Sequence, residues 1–276
     1  MSTEWFGNAV IYHILIDRFA GFTVQENKSS PKQPGFMGGT LSGITEKLDY
    51  IQNLGMNTIW LSPFYKTTAY HGYHITDFYS VEPRFGTLGD LKVLIKAAHD
   101  RGLRTIADFV PNHCSYQHPF FKDAKSNPES PYRNWFFFSK WPNKYRAFFD
   151  FFELPKLNVN NPETAQHLLE AAEYWTRMGI DGFRIDHAVG VPKIFLKDLS
   201  RAIKKENPNA ILIGEAWMAN PGWKYLQDID LPNKYLRRLF GCITQEFVQR
   251  EYVGILDGVL DFFVRDLMLE FIAHKD

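Results

Sequence analysis

Cysteine is nearly absent: only Cys114 and Cys242 occur in 276 residues. Two thiols cannot build the disulfide framework of a small secreted domain, and their scarcity suits a reducing, cytoplasmic setting. An excess of charge is missing too, since 31 Lys and Arg balance 31 Asp and Glu. With no basic surplus to meet a polyanion, nucleic acid is not expected as a partner. No stretch approaches eighteen consecutive apolar residues, so no membrane span is expected. The N-terminal apolar run carries Glu4 where a signal peptide needs Lys or Arg. His13 and Asp17 interrupt it, so it reads as a strand rather than a targeting segment.

Aromatic residues, by contrast, are abundant and concentrated. Eleven of the twenty-one residues from Tyr132 to Phe152 are Phe, Tyr or Trp. Such a cluster suits a small hydrophobic subdomain, and some of its rings would also suit the flat apolar faces of sugars. Elsewhere short apolar runs alternate with amphipathic stretches. Residues 10–16, 57–62, 103–110, 180–186 and 210–216 read as strands, and the run 257–264 completes a sixth unit. Residues 41–55, 87–102, 162–179, 192–207 and a stretch around 232–250 read as helices, followed by a final helix.

Strands alternating with helices imply parallel βα units with the sheet covered on its outer face. The stretch from 113 to 158 is too long for an ordinary βα loop and reads as a domain inserted after the third strand. The expected organisation is therefore barrel units over 1–112, an insert over 113–158, and further barrel units over 159–276. A (β/α)8 barrel needs eight units, whereas six fit here, so strands seven and eight are expected to be missing.

Reactive groups of such barrels lie at the C-terminal ends of strands. Those ends supply Asp17, then Asp108, Asn112 and His113, then Arg184, Asp186 and His187, then Glu215 with Trp217 beyond it. In "DGFRIDHAVG" (181–190), Arg184 and Asp186 are two apart and so share one face of their strand. Each residue has a plain structural account: a loop hydrogen bond for Asp108, a buried ion pair for Arg184 and Asp186, a helix cap for Glu215. Together they place an Asp and a Glu on neighbouring strand ends with an Arg beside the Asp. Two carboxylates flanking one bond are what glycoside hydrolysis needs, one ionised and one protonated. Arg184 is expected to lower the pKa of Asp186 and keep it ionised, and desolvation to raise that of Glu215. Asp186 is then the nucleophile and Glu215 the acid/base.

The segments "DFVPNH" (108–113), "GFRIDHAVG" (182–190) and "GEAW" (214–217) resemble three of the four signature regions of the α-amylase family of glycoside hydrolases, in order and spacing. "GYHITDFYSVEPRFGTLGDL" (72–91) resembles that family's segment after the second strand, and "LPKLN" (154–158) the motif closing its inserted B domain. "LPKLN" leans towards the neopullulanase, cyclomaltodextrinase and maltogenic amylase side of the family. The resemblance implies a (β/α)8 barrel with a B domain after strand three and a retaining mechanism on α-linked glucans. It assigns Asp186 as nucleophile, Glu215 as acid/base, and Arg184 as the group positioning Asp186. It also implies that His113 binds hydroxyls of the attacked sugar and Tyr73 stacks beneath it. Asp108 and Asn112 become supports of the third-strand loop, and His187 and Trp217 contacts on the leaving-group side.

Several departures accompany this resemblance. The fourth signature region, an Asn-His-Asp that carries the third carboxylate, is not found; Asp257 and Asp261 belong to the sixth unit and do not fit it. No C-terminal β-domain is found either. The incomplete barrel would have two long parallel edges: either the sequence is a truncated piece of its enzyme, or a second chain or self-association closes the barrel, and weak or no turnover is expected of it alone. Calcium is poorly supported, because Lys156 stands where many amylases of the family place an Asp ligand, and Val189 and Gly190 replace a common Lys-His. No cofactor is implied. The same residues would serve an α-glucosyltransferase, and an amylase-like scaffold can also be a non-catalytic glucan-binding protein. A metal-dependent hydrolase using His71, His74, His113 and His118 is the remaining class, without the His-x-His strand pattern that would support it.

Overall fold

The central strands of the main sheet are short apolar runs, with helices packed against Arg104–Phe109 and Ile211–Gly214. The computed structural model describes residues 4–22, 35–217 and 222–274. Its main sheet contains β1 (Ile11–Ile14), β2 (Thr58–Leu61), β3 (Arg104–Phe109), β4 (Gly182–Ile185), β5 (Ile211–Gly214) and β6 (Gly258–Val259). The six strands lie side by side in chain order, every pair parallel. This is the incomplete βα barrel that the alternation of runs implies. Every residue of β4 and β5 is buried, as strands covered on both faces require. At the N-terminal end of β4, Asp181 accepts from His99 Nε2 at 2.7 Å, Arg104 Nη1 at 3.0 Å and Thr105 N at 2.8 Å, which pins β3 against β4.

Helix Leu88–Asp100 starts with a capping box in which Thr87 and Asp90 satisfy each other's backbone N–H groups. Helix Pro162–Arg177 starts with Asn161 as cap and proline in its first turn. Its Trp175 is fully buried, meets Phe64 edge-on at 4.8 Å and donates from Nε1 to Phe78 O at 2.7 Å. Helix Lys193–Glu206 buries Phe195, Leu196, Leu199 and Ile203 on one face.

Three stretches differ from the sequence reading. Residues 41–55 form two short helices, Leu41–Glu46 and Leu48–Asn53, because Lys47 leaves helical geometry at φ −103°, ψ 4°. The stretch around 232–250 likewise divides into Lys234–Leu239 and Gln245–Arg250, parted at Gly241 with φ +65°. The run 257–264 gives only a two-residue strand. Asp261 Oδ1 accepts the N–H groups of Phe263 and Val264 at 3.1 and 3.0 Å, so the apolar residues after it start helix Phe262–His274.

Two excursions rise above the C-terminal ends of the strands. After β2, an antiparallel pair forms from Tyr65–Thr67 and Ile75–Val81. After β3, residues 113–158 contain helix Pro119–Ser126 and the small hairpin of Phe138–Lys140 with Lys144–Tyr145. This second excursion returns through bridges pairing His113 with Lys156 and Phe136 with Leu157. Among the described residues, no helix is long and apolar enough to cross a membrane.

Candidate active site

Register decides which polar side chains meet. Asp108 on β3 lies opposite Arg184 on β4, and Arg184 lies opposite Ile213 on β5, just before Glu215. Arg184 Nη1 donates to Asp108 Oδ1 at 2.5 Å and to Asp186 Oδ1 at 2.8 Å, while Nη2 ion-pairs with Glu215 Oε1 at 2.7 Å. One guanidinium thus touches carboxylates from three adjacent strand ends. Asp108 Oδ2 also accepts from Tyr73 OH at 2.9 Å and from Trp60 Nε1 at 3.1 Å, which extends the network to β2. The other oxygen of Glu215, Oε2, accepts the backbone N–H of His187 at 3.0 Å. His187 can point that N–H back because its backbone is left-handed, at φ 45° and ψ 53°.

Asp108 is wholly buried and Asp186 nearly so, whereas the Glu215 side chain is 30% exposed. Burial drives the pKa of Asp186 upward. Arg184 pulls it down, but Glu215 and Asp108 push it up again, and the net direction is upward. The expectation that Arg184 would hold Asp186 low is therefore corrected: one positive charge is shared among three carboxylates in a desolvated place. Arg184 itself is held charged by Asp108, Asp186 and Glu215 against its own desolvation.

These groups open onto a cavity of ≈ 510 Å³, a volume typical of small-ligand sites. Tyr73, His113, Arg184, Asp186 and Glu215 line it, so five of the expected site residues converge there. Asp108 lies beneath them, and Asn112 supports His113. Lys156 Nζ, a donor only, contacts Asn112 Oδ1 at 2.8 Å, which turns the Asn112 amide nitrogen towards His113 Nδ1 at 3.2 Å. His113 Nδ1 is thereby an acceptor, and its proton sits on Nε2, 4.0 Å from Asp186 Oδ2 and without a hydrogen-bond partner among the described residues. Burial, with smaller contributions from His74 and Lys156, lowers the pKa of His113 to about 3, so the ring stays neutral.

The two residues expected on the leaving-group side do not line this cavity. The His187 ring is buried edge-on against Phe148 and Phe149, with centroids at 4.9 and 5.1 Å. Trp217 is half exposed beside Phe262, with ring centroids 5.9 Å apart. Asp17 serves its own loop, accepting from the N–H groups of Met37 and Gly38 and pairing with Arg18. His71, His74, Phe148, Phe151 and Leu154 line the cavity without having been singled out for a sugar site. In the sequence the signal for the phenylalanines is the aromatic cluster, and the two histidines stand out only as metal ligands. His13, stacked on Trp60 at 3.8 Å, was also missed; burial and then Arg184 lower its pKa to about 4.

The oxygen cluster around Lys156 does not fit calcium. Lys156 Nζ is caged by Asn112 Oδ1, Gly190 O at 2.9 Å and Asp228 O at 3.1 Å, so an ammonium already fills the oxygen cluster. Burial lowers its pKa to about 8. A divalent ion beside that charge would be repelled. Gly190 is required here, because a Cβ would lie 2.4 Å from His187 Cδ2 and 2.5 Å from Asn112 Oδ1. Of the four histidines of the metal reading, His118 lies in a different cavity from the other three. Among the described residues, no group of three His, Cys, Asp or Glu side chains is placed to hold a metal.

Comparison with known proteins bears on this geometry. The family description "Alpha amylase, catalytic domain" matches residues 13–229. Alpha-amylase 2 of Dictyoglomus thermophilum is 38% identical over 98% of this chain, which spans 43% of that protein. A cyclomaltodextrinase of Thermoanaerobacter pseudethanolicus is 36% identical over 80% of this chain and 42% of its own length. Among solved structures, the cyclic alpha-maltosyl-(1→6)-maltose hydrolase of Arthrobacter globiformis superposes with a TM-score of 0.78 at 30% identity, over 97% of this chain and 58% of that one. This chain thus spans about half the length of the relatives it matches. With its motifs, its open parallel sheet and its cluster of strand-end carboxylates, the chain belongs to the alpha-amylase family of glycoside hydrolases.

Proposed function

We propose that this chain carries the catalytic carboxylates of a retaining α-glucan hydrolase acting on starch, maltodextrin or cyclodextrin. The carrying observation is that Asp186 and Glu215 contact adjacent nitrogens of one buried guanidinium and face one cavity. Glu215 gives its proton to the glycosidic oxygen as the bond to the anomeric carbon breaks. Asp186 attacks that carbon to form a glycosyl-enzyme ester. Water then adds to the same carbon, Glu215 takes its proton and the Asp186 carboxylate leaves. The His113 Nε2–H donates to a hydroxyl of the sugar under attack, the Tyr73 ring supports it, and Phe148 and Phe151 offer apolar faces. Residues 113–158 act as the family's B domain, and the two free thiols are in keeping with a cytoplasmic setting.

A sugar hydroxyl in place of water would make the same site an α-glucosyltransferase, and product analysis separates the two. The test is release of reducing sugar from soluble starch and a cyclodextrin by the chain, by Asp186→Asn and by Glu215→Gln. Low turnover is expected, because the sheet is open at both sides of the site, and either substitution should reduce it by about 10³-fold or more. Release that survives Asp186→Asn would overturn the assignment. Saturable binding of maltoheptaose without release would support the reading as a glucan-binding protein.

A further inference from the structure

We propose that the inserted segment 113–158 sets the aim of Glu215 through His187, a positioning residue whose backbone N–H holds that carboxylate while its ring is held by the insert.

Glu215 is gripped at both oxygens. Arg184 Nη2 meets Oε1 at 2.7 Å, but that guanidinium is shared with Asp108 and Asp186. The contact peculiar to Glu215 is the His187 N–H, which donates to Oε2 at 3.0 Å. The next residue, Ala188, donates its N–H to Glu215 O at 3.1 Å, so the turn after β4 clasps the end of β5. The aim of the His187 N–H depends on a left-handed backbone, φ 45° and ψ 53°. A residue with a Cβ keeps that conformation only where its surroundings hold it.

Those surroundings come from the insert. His187 is 4% exposed, and its Nε2 has no hydrogen-bond partner among the described residues, so packing fixes the ring. The ring lies edge-on to Phe148 and Phe149, at 4.9 and 5.1 Å, and Gly190 leaves it room by lacking a Cβ. Phe149 and Asp150 are themselves left-handed, at φ 45° and 62°, and Phe149 is seated edge-on against Tyr225 at 5.0 Å. Phe148 lines the cleft and stacks on His113 at 4.7 Å, whereas Phe149 stays out of the lining. One ring of the insert therefore touches both the imidazole that faces the cavity and the one whose backbone holds Glu215. A shift of residues 148–150 moves His187, and with it the donor on Glu215. That Glu215 is the acid/base rests on the function proposed above; the link itself does not.

The His187 amide proton, assigned by NMR, reports the link without any turnover. Glu215→Gln should move that signal upfield, because a neutral carbonyl accepts more weakly than a carboxylate. Repeated in a Phe149→Ala background, the same comparison should give a move smaller by about half or more, since Phe149 acts on Glu215 only through His187. An unchanged Trp175 Nε1–H signal, bonded to Phe78 O at 2.7 Å, shows that the variant is folded. His187→Asn, which tolerates a left-handed backbone, should keep more of the move than His187→Val, for which that geometry is an outlier. In turnover, Phe149→Ala should lower kcat/KM on starch about tenfold and spare α-maltosyl fluoride, whose fluoride leaves without a proton from an acid. A move of full size in the Phe149→Ala background, or none in the unsubstituted one, would overturn the link and leave the glucan reading standing. A move that shrinks in a chain releasing no sugar from either substrate would uphold the link and count against the acid/base reading.

Discussion

Arg184 balances one positive charge against Asp108, Asp186 and Glu215, and burial, joined by the surplus negative charge, raises the pKa of Asp186. Attack needs the ionised carboxylate, so the acid limb of kcat/KM against pH should lie above the ordinary carboxylate range. Asp108 is one of the groups that raise Asp186. Asp108→Asn removes that charge and should move the acid limb to lower pH while lowering the maximum; a limb that stays in place would show that Asp108 does not act on Asp186. Removal of the guanidinium is more severe. Arg184→Met leaves buried carboxylates unpaired and should cost about 3–5 kcal/mol in urea denaturation. The alternation of Phe183, Arg184, Ile185 and Asp186 made the shared face legible in the sequence. The direction of the Asp186 shift was not legible, because it depends first on burial that the assembled strands create, and then on carboxylates delivered by β3 and β5, far away in the chain.

At the scale of elements, Lys156 links pieces that no local pattern connects. Its Nζ joins the loop after β3 through Asn112, the turn after β4 through Gly190 and the segment before residue 230 through Asp228. Lys156→Met should cost about 2–3 kcal/mol, the scale of hydrogen bonds to a charged group. It should also weaken maltoheptaose binding, because the Asn112 amide is no longer turned towards His113. Denaturation midpoints and calorimetric titration of the same variant check both effects, and unchanged binding would mean that His113 needs no such support. Helices Leu88–Asp100 and Pro162–Arg177 were readable because their caps, Thr87 with Asp90 and Asn161 with Pro162, lie within four residues of each start. Helix Phe262–His274 was misjudged at its start because the strand-like run Phe262, Phe263, Val264 is overruled by one carboxylate, Asp261. The pair Tyr65–Thr67 and Ile75–Val81 escaped notice because its partners are irregular, with register shifts on both sides of Lys66.

At the scale of the whole molecule, β1 and β6 are each paired on one side only among the described residues. Helix Phe262–His274 leaves Phe263, Met268, Phe271 and Ile272 more than half exposed. An apolar patch of that kind favours association, and we expect sedimentation velocity to show concentration-dependent species larger than one chain. Phe271→Glu with Ile272→Lys should return the chain towards monomer; a monomer at all concentrations would argue against closure of the sheet by a second copy. The count of parallel strands was legible because each is a local apolar run, whereas closure depends on what meets the edges. The interior also carries a pH liability that belongs to the molecule as a whole. Burial lowers the pKa of His71 and His118 to about 4 and that of His113 to about 3, and holds His187 well down. Once unfolded, each would take up a proton near 6.5, the ordinary imidazole value. Between those values the unfolded chain binds more protons than the folded one, so stability is fully present above pH 6.5 and falls as pH drops towards 4. Each group contributes up to about 1.4 kcal/mol per pH unit across its window. Urea midpoints measured between pH 7.5 and 4.5 should therefore decline steeply below 6.5, and His118→Asn should make the decline shallower; a midpoint that holds steady down to pH 4.5 would show that these rings are not kept neutral by the fold.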